Sequence, residues 1–432
     1  MTANRASSLL LAGLMVVVVA GCGGSDDGGA TAGEQKIEGA KVIDVASMEN
    51  PSKGTLSYCT GKDTSGALGR AVDQFNAEYE AQGLEAELFE FPEEADEQRN
   101  QFIQRAQAKS PECDIFYADD VWTAEFASQK WIYDLTPYVQ ERASEFVPAT
   151  LETVKYADKR WGVPKQTNAG FLYYRTDQVA SAPATWQNVY AEAEAKGGIA
   201  YQGAAYEGLT VNYLEVAFAA GGKILSPDGK KSMINSPENL EALQLMVDGV
   251  KSGAALKGVA TYEEEPTRRA FEAGRATFMR NWPYAYPLAK MSKVSDDFAV
   301  APLPSFEGGG KGQVVGARNL VISAYTKNPG GSLALIDFLT SPEIERQDAI
   351  KYSLAPVLTK TYDEPAVKRA MPYSEQLLQA VQQGTARPVS PVYSQISQAI
   401  YKQVNEALSG TTTPEEALEQ ADEEINTALK TF

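Results

Sequence analysis

In the first part of the chain, the hydrophobic and polar positions switch between two periods. Short apolar or alternating runs at 54–61, 84–91 and 113–119 are typical of strands. The segments 66–82 and 94–109 carry apolar side chains every three or four residues, which predicts amphipathic helices. This β, α, β, α, β order predicts the α/β class, with an open, mostly parallel sheet covered by helices.

Polar side chains follow two of these predicted strands. Lys62 and Asp63 come after the first strand, and Asp119 and Asp120 end the third. Because ligands bind at the carboxyl ends of strands in such sheets, we expect these residues at a binding rim. An acidic residue at this position is also typical of a helix N-cap or a turn, and both interpretations stay open.

Further along, the pattern predicts one interrupted strand region and several helices. Residues 160–177 are apolar strand material broken by a polar loop. Ser236 followed by Pro237 is a typical helix start, and Thr413 with Glu416 forms a capping-box pattern. The predicted helices lie at 185–197, 207–222, 236–250 and 413–425.

The stretch "RNWPYAYP" at 280–287 combines aromatic rings with two prolines. The prolines argue against a central strand and favour a fixed loop. Aromatic rings with polar tips suit a surface that is apolar on one side and wet on the other. We expect Trp282 and Tyr284 to form a binding platform, whereas Tyr286 is equally suited to packing.

The amino-terminal segment has the features of a secretory signal. A positive charge at Arg5 precedes the apolar run "LLLAGLMVVVVAGC", which is shorter than the ~20 residues of a spanning helix. "VAGC" resembles the lipobox of bacterial lipoproteins, so we expect residues 1–21 to be removed and Cys22 to be acylated. Plain cleavage of the signal is the alternative. The Gly-, Ser- and Asp-rich start of segment 22–53 indicates a flexible tether to the membrane.

Composition excludes several classes of function. The 432-residue chain has no histidine, which excludes His-based general bases and the commonest zinc ligand, and we expect no metal or cofactor. Its net charge is −18 without a Lys/Arg run, which argues against nucleic acid. Outside the cytoplasm, Cys59 and Cys113 favour one disulfide, although two buried thiols are also consistent with the sequence. The length indicates more than one domain.

Seven segments together resemble the extracellular sugar-binding proteins of ABC importers, the family-1 solute-binding proteins. The likeness runs from about Gly54 to the carboxyl end, and "YEGLTVNYLE" at 206–215 leans toward the trehalose/maltose-binding branch. The segments are "AVDQFNAEYE", "DIFYADDVWTAEFA", "GFLYYRTD", "PATWQNVY", "FMRNWPYAY", "GARNLVISAYTKNP" and "ARPVSPVYSQISQAI".

The resemblance implies a two-lobe periplasmic-binding-protein fold, with a mostly parallel sheet in each lobe. By analogy, 54–162 plus 303–350 form the first lobe, and 163–302 plus 351–432 form the second. A sugar would bind in the cleft, the lobes would close by a hinge, and the closed form would dock on the membrane permease. The resemblance also implies a monomer without enzymatic activity.

Four site residues follow from matching positions in this family. Trp282 and Tyr284 match the stacking loop, and Asp119 matches an acceptor carboxylate. Arg387, in the constrained segment "ARPVSP", matches a ligand-facing arginine. A structural salt bridge is the alternative for Arg387.

Three further residues match the trehalose/maltose branch or depart from it. Arg99 matches a sugar-contacting arginine, although a solvated helix face is also consistent with its position. Asn168 stands where the branch often has Asp. Arg318 stands where the branch often has Trp, so a stacking plate is replaced by a hydrogen-bonding fork.

These residues favour a lipid-anchored protein that binds a di- or oligosaccharide, with a trehalose/maltose-type α-glucoside first. A binding protein for another polar solute is the alternative, and the lack of histidine argues against transition metals. A secreted glycoside hydrolase would need a matched pair of carboxylates, and no motif singles one out.

Overall fold

The structure, a computed structural model, describes residues 37–63 and 65–431. The predicted signal segment 1–21, Cys22 and residues 23–36 of the predicted tether lie outside the described residues. Residues 37–53 were expected to be flexible but pack on the fold, because Ile43 is buried in the core of the first sheet and Val42 pairs with Asp134. The described residues belong to a single compact unit. None of their helices is both long enough and apolar enough to cross a membrane.

Strands in the described part of the chain form two larger sheets and one small hairpin. The first sheet has the order β12-β11-β3-β1-β2, with β6 also paired to β11; the second has the order β10-β7-β9-β8; β4 pairs with β5. The strands are β1 (Gly54–Gly61), β2 (Leu84–Phe91), β3 (Ile115–Asp119), β4 (Lys155–Tyr156), β5 (Lys159–Arg160), β6 (Val163–Ala169), β7 (Phe171–Arg175), β8 (Ile199–Ala200), β9 (Phe278–Asn281), β10 (Phe298–Pro302), β11 (Val314–Ile322) and β12 (Thr385–Ala386).

Helices surround both sheets. Several begin with a proline in the first turn, where the missing N–H costs nothing. The helices of the described residues are α1 (Ala67–Tyr79), α2 (Ala95–Gln107), α3 (Thr123–Ser128), α4 (Thr136–Arg142), α5 (Pro148–Glu152), α6 (Trp186–Lys196), α7 (Glu207–Ala219), α8 (Pro237–Ser252), α9 (Glu264–Glu272), α10 (Ala285–Lys290), α11 (Pro329–Leu339), α12 (Pro342–Tyr352), α13 (Pro365–Ala370), α14 (Ser374–Gln383), α15 (Tyr393–Leu408) and α16 (Pro414–Leu429).

The first sheet confirms the β, α, β, α, β prediction and the α/β class. β1 pairs in parallel with β2 and with β3, and α1 and α2 make the crossovers. β11 then adds antiparallel to β3 and β6, so the sheet is mixed at this side. Its core includes Leu56, Phe75 and Leu320, which are fully buried.

The second sheet differs from the mostly parallel arrangement that was expected. β7 pairs antiparallel with both β9 and β10, and only the short β8–β9 pair is parallel. Parallel neighbours require a long crossover connection. Here Gly170 alone links β6 to β7, so the chain enters the second sheet directly from the first, without a crossover helix.

The polar loop expected within 160–177 is absent, because polar residues there stay in β6. Lys165 is 4% exposed and its Nζ lies 2.7 Å from Asp348 Oδ2. Thr167 is buried and its hydroxyl donates to the carbonyl of Gly316 at 3.3 Å. A buried polar group that has a partner is compatible with a central strand, so polarity alone gave the wrong prediction.

Three local predictions are confirmed. Ser236 caps α8 by accepting from the N–H of Asn239, and Thr413 and Glu416 form the capping box of α16. Cys59 and Cys113 form a disulfide with their Cα atoms 5.8 Å apart. This bridge joins β1 to the residues that enter β3.

Three segments pass between the two sheets. Gly170 is the first, residues 303–313 between β10 and β11 are the second, and residues 387–392 between β12 and α15 are the third. α15 packs in the same core as Leu172 of the second sheet. The passages therefore lie where the carboxyl end of β3 meets the second sheet.

Candidate functional site

A cavity of about 730 Å³ lies at the carboxyl end of β3 and is lined from both sheets. This volume is within the usual range for small-molecule sites. The lining residues come from the start of α2, the ends of β3 and β6, the inner part of β11, the loop after β9, and the first turns of α7 and α9. The charged and aromatic ones are Glu93, Glu94, Glu97, Asp119, Tyr206, Glu207, Glu263, Glu264, Glu265, Arg269, Trp282, Tyr284, Arg318 and Arg387.

The aromatic loop is fixed against the cavity wall. Trp282 is half-buried, and its indole N–H points to Glu264 Oε1 at 3.4 Å. The Tyr173 hydroxyl donates to the carbonyl of Trp282 at 2.8 Å, and the Tyr284 hydroxyl donates to Glu265 Oε1 at 2.9 Å. The Trp282 ring thus lines the cavity with both its side chain and its backbone held in place.

Below this loop, the Arg280 guanidinium covers one face of the Trp282 indole, 3.9 Å from the ring centroid. Arg280 is 1% exposed, so solvent or a ligand has no access from that side. A cation over an indole face is a favourable contact. The opposite face is the one that a flat apolar surface can cover.

At the other wall, Arg387 is surrounded by three carboxylates. Its guanidinium donates to Asp119 Oδ1 at 2.6 Å, to Asp120 Oδ1, and to Glu207 Oε1 at 2.7 Å. Glu207 also accepts from the Tyr393 hydroxyl at 2.7 Å. Arg387 lines the cavity but is 5% exposed, so its outer nitrogens already have partners.

The pKa values in this cluster diverge because three acids share one guanidinium. Burial raises the pKa of Asp120 to about 7, against the attraction of Arg387 and with help from the charge of Asp119. Burial alone would raise the pKa of Asp119 too, but Arg387 and Arg318 hold it below its ordinary value. Burial also raises the pKa of Glu207, against Arg387. Asp120 therefore retains a proton up to about pH 7.

Arg318 and Asn168 both line the cavity next to Asp119. Arg318 Nη2 lies 3.8 Å from Asp119 Oδ2, and its Nη1 donates to Gln98 Oε1 at 3.4 Å. A quarter of the Arg318 side chain is exposed, so part of its fork faces the cavity. Asn168 pairs with Gly316 in the β6–β11 ladder and ends up beside the Trp282 ring.

Four of the expected site residues do not line this cavity. Arg99 makes a two-pronged salt bridge with Glu125 at 2.8 and 2.6 Å. Asp63 caps α1, accepting from the N–H groups of Gly66 and Leu68 at 3.0 and 2.7 Å.

The other two lie behind the cavity wall. Tyr286 packs edge-to-face on Phe298 and at a tilt on Tyr373, with ring centroids 5.4 and 4.8 Å away. Asp120 lies behind Asp119, where it accepts from the N–H of Ala317 at 3.1 Å. Asp120 accepts a hydrogen bond from Arg387, and Arg387 lines the cavity.

Several lining residues were not expected from the sequence. Glu264 and Glu265 hold the aromatic loop, and Glu207 holds Arg387. The acidic run at 263–265, directly before a helix, was the available signal, but acids at a helix start are common for reasons of capping and dipole. Among the residues that the structure describes, no group of three or more acidic or cysteine side chains is arranged to hold a metal ion.

Comparison with known proteins gives consistent matches. A sequence model of the family described as bacterial extracellular solute-binding protein matches residues 63–346. A probable ABC transporter-binding protein of Deinococcus radiodurans is 30% identical, over 79% of this chain and 86% of the relative. The maltotriose-binding protein of Pyrococcus abyssi is 24% identical, over 68% of this chain and 65% of the relative.

A solved structure extends the likeness to the fold. The maltose-bound MalE3 of T. maritima has a TM-score of 0.81 and 32% identity, covering 87% of this chain and all of that one. The predicted two-lobe α/β fold is thereby confirmed.

Proposed function

The chain belongs to the bacterial extracellular solute-binding protein family, and we propose that it binds a di- or oligosaccharide in the cavity described above and delivers it to an ABC permease. Membership places the protein outside the cytoplasm and makes it a binding protein rather than an enzyme. The observation that carries the proposal is the Trp282 ring, which lies on the cavity wall with one face backed by Arg280. A sugar ring has an apolar C–H face that such a plate can cover.

The polar wall suits the hydroxyl groups at the edge of a sugar. The carboxylate of Asp119 accepts hydrogen bonds, the Arg318 fork donates them, and the Asn168 amide does both. These groups are held by the Arg387 cluster and by the β6–β11 ladder, so they are in place before a ligand arrives. Preorganisation of this kind reduces the cost of binding.

An α-glucoside of the maltose or trehalose type is the first choice of ligand. The T. maritima structure is described as maltose-bound, and the P. abyssi relative is named for maltotriose. The segment "YEGLTVNYLE" supplies Tyr206 and Glu207 to the cavity, which supports the trehalose/maltose branch. The cavity of about 730 Å³ has room for more than one sugar ring.

We further propose that two lobes close on the sugar, with 54–162 plus 303–350 in one and 163–302 plus 351–432 in the other. The three passages between the sheets support two lobes joined by a hinge, but they favour other boundaries. Val163–Ala169 and Thr385–Ala386 are strands of the first sheet, so the chain crosses at Gly170 and at 387–392. The anchor is an acyl group on Cys22, followed by a tether that ends before Val42 and Ile43 pack on the fold, and the protein acts as a monomer. The family's link to ABC transporters supports docking of the closed form on permease subunits.

A positively charged polar solute is the second candidate, because the cavity is strongly acidic. Among the described residues, five lining glutamates have no Lys or Arg nitrogen within 4 Å; they are Glu93, Glu94, Glu97, Glu263 and Glu264. A cationic amino sugar or a polyamine would neutralise part of this charge.

Calorimetry with a ligand panel tests the proposal. The panel contains maltose, maltotriose, trehalose, the glucosamine disaccharide and spermidine. We expect an α-glucoside to bind and to be recovered without new reducing ends. If only the glucosamine disaccharide and spermidine bind, the second candidate is favoured. If no carbohydrate in the panel binds, the sugar proposal is refuted.

A further inference from the structure

A buried ion pair lies directly under the aromatic loop. Arg280 Nε donates to Glu215 Oε2 at 2.7 Å, Nη2 donates to Glu215 Oε1, and Nη1 donates to Gln202 Oε1 at 3.0 Å. The Arg280 and Glu215 side chains are each 1% exposed. A bidentate pair with a third partner fixes the plane of the guanidinium as well as its position.

This fixed guanidinium is the surface on which the Trp282 indole rests, 3.9 Å from its ring centroid. The backbone of Arg280 is held too, because Gln202 Nε2 donates to its carbonyl at 3.2 Å. Trp282 is two residues further on, beyond the end of β9. Its ring plane therefore depends on the plane of the guanidinium beneath it.

Two of the passages between the sheets lie against Glu215, one at its carboxylate and one at its backbone. A Cβ at Gly170 would lie 2.6 Å from Glu215 Oε1 and 2.7 Å from Arg280 Nη2, closer than non-bonded atoms approach. A Cβ at Gly312 would lie 1.8 Å from the carbonyl oxygen of Glu215. Gly170 therefore packs directly onto the ion pair, whereas Gly312 packs onto the backbone of α7 at Glu215.

We propose that Glu215 and Arg280 are positioning residues that set the orientation of the Trp282 ring relative to the passages between the sheets. The proposal rests on the proposed function, since it assigns Trp282 to the ligand. Glu215 and Arg280 touch no ligand themselves. They determine whether the indole lies flat against a sugar ring, and Gly170 determines whether they can pack.

A double-mutant cycle separates this role from general support of the fold. The paired replacement Glu215→Leu with Arg280→Met removes both charges, which a buried site tolerates better than losing one. We expect maltotriose affinity to fall about tenfold when Trp282 is present. In a Trp282→Ala background, the same replacement should change affinity less than about twofold, because coupled residues are non-additive. An equal loss in both backgrounds would overturn the proposal.

The ring orientation also has a readout without ligand. The near-ultraviolet circular dichroism of Trp282 is obtained by subtracting the spectrum of Trp282→Phe from the spectrum of the wild type. We expect this difference spectrum to shrink at least about twofold in the paired variant and in Gly170→Ala. Gly69→Ala is the control, since a Cβ there meets nothing within 4 Å. An unchanged spectrum in both variants would refute the positioning role.

Arg280→Lys replaces the paired variant in both measurements if the latter does not fold. It keeps the positive charge against Glu215 but loses the planar fork, so the same changes are expected. If maltotriose and the other sugars do not bind the wild type, the proposed function fails, and the dichroism still decides whether the pair orients the ring.

Discussion

Asp120 shares the Arg387 guanidinium with Asp119 and Glu207, so three buried carboxylates face one fixed positive charge. Burial raises the pKa of Asp120 from an ordinary 3.8 to about 7. Between these two values, the folded protein holds a proton that the unfolded chain has released. The free energy that this bound proton contributes to folding is therefore fully present below about pH 4. It falls as the pH rises and is lost above about pH 7.

The size of the effect follows from this difference in pKa. The free energy of unfolding falls by about 1.4 kcal/mol for each pH unit in the window. Between pH 5 and pH 8, Asp120 alone should cost the fold about 3 kcal/mol. Asp119 acts in the opposite direction, but only below its ordinary pKa of 3.8, which is outside this range. Burial also raises the pKa of Glu207, so Glu207 adds to the loss of stability in the same direction.

Urea unfolding at pH 5 and pH 8 measures this effect, with Asp120→Asn as the test variant. An asparagine keeps an acceptor for the Ala317 N–H but carries no titrating group. The loss of stability between the two pH values should be about 3 kcal/mol smaller in the variant than in the wild type.

A matched control is Asp96→Asn. Burial raises the pKa of Asp96 to about 7 as well, so this variant should flatten the pH dependence independently. If Asp120→Asn and the wild type lost the same free energy between pH 5 and pH 8, Asp120 would not be the protonated member of the cluster.

Three further predictions concern the Trp282 ring, the Arg387 guanidinium with its carboxylate partners, and the disulfide. Trp282→Ala should weaken α-glucoside binding by about 2 kcal/mol, roughly 30-fold in Kd, with unchanged urea stability; calorimetry showing wild-type affinity would remove Trp282 from the site. Arg387→Lys should lower the free energy of unfolding by about 3 kcal/mol, since an ammonium cannot serve three carboxylates in one plane; an unchanged urea midpoint would contradict the cluster. Replacing Cys59 and Cys113 together with Ala should cost about 4 kcal/mol for a bridge spanning 54 residues, and equal stability of both forms in urea would argue against the bridge.

The first sheet could be predicted because its signals are local. β1, β2 and the helices between them are long and strongly periodic, and α1 carries its apolar stripe on residues such as Leu68, Val72 and Phe75. β8 and β9 have only two and four residues, too few to show a period, and their neighbours are set by distant pairing. The antiparallel order of the second sheet could therefore not be predicted from the pattern of hydrophobic and polar residues.

The site was predictable where one residue type has a distinctive use. Trp282 and Asp119 line the cavity as expected, since aromatic residues between prolines and an acid after a buried strand are unusual. The Arg387 cluster was not predictable, because Arg387 is 268 residues from Asp119 and 180 from Glu207. The two outer nitrogens of its guanidinium find their partners on three carboxylates that only the fold brings together.

One helix, α7, connects both halves of the site to the passages between the sheets. Near its start, Glu207 holds Arg387 in the third passage, and Arg387 in turn holds Asp119. Two turns later, about 12 Å along the axis, Glu215 packs against Gly170 and holds Arg280 under the aromatic plate. Each carboxylate thus fixes one wall of the cavity from behind. A bend at the passages displaces both acids together, because a helix of this length moves as a rigid unit. The aromatic wall and the Glu207 partner of Arg387 therefore shift together relative to Asp119 and Arg318 on the first sheet.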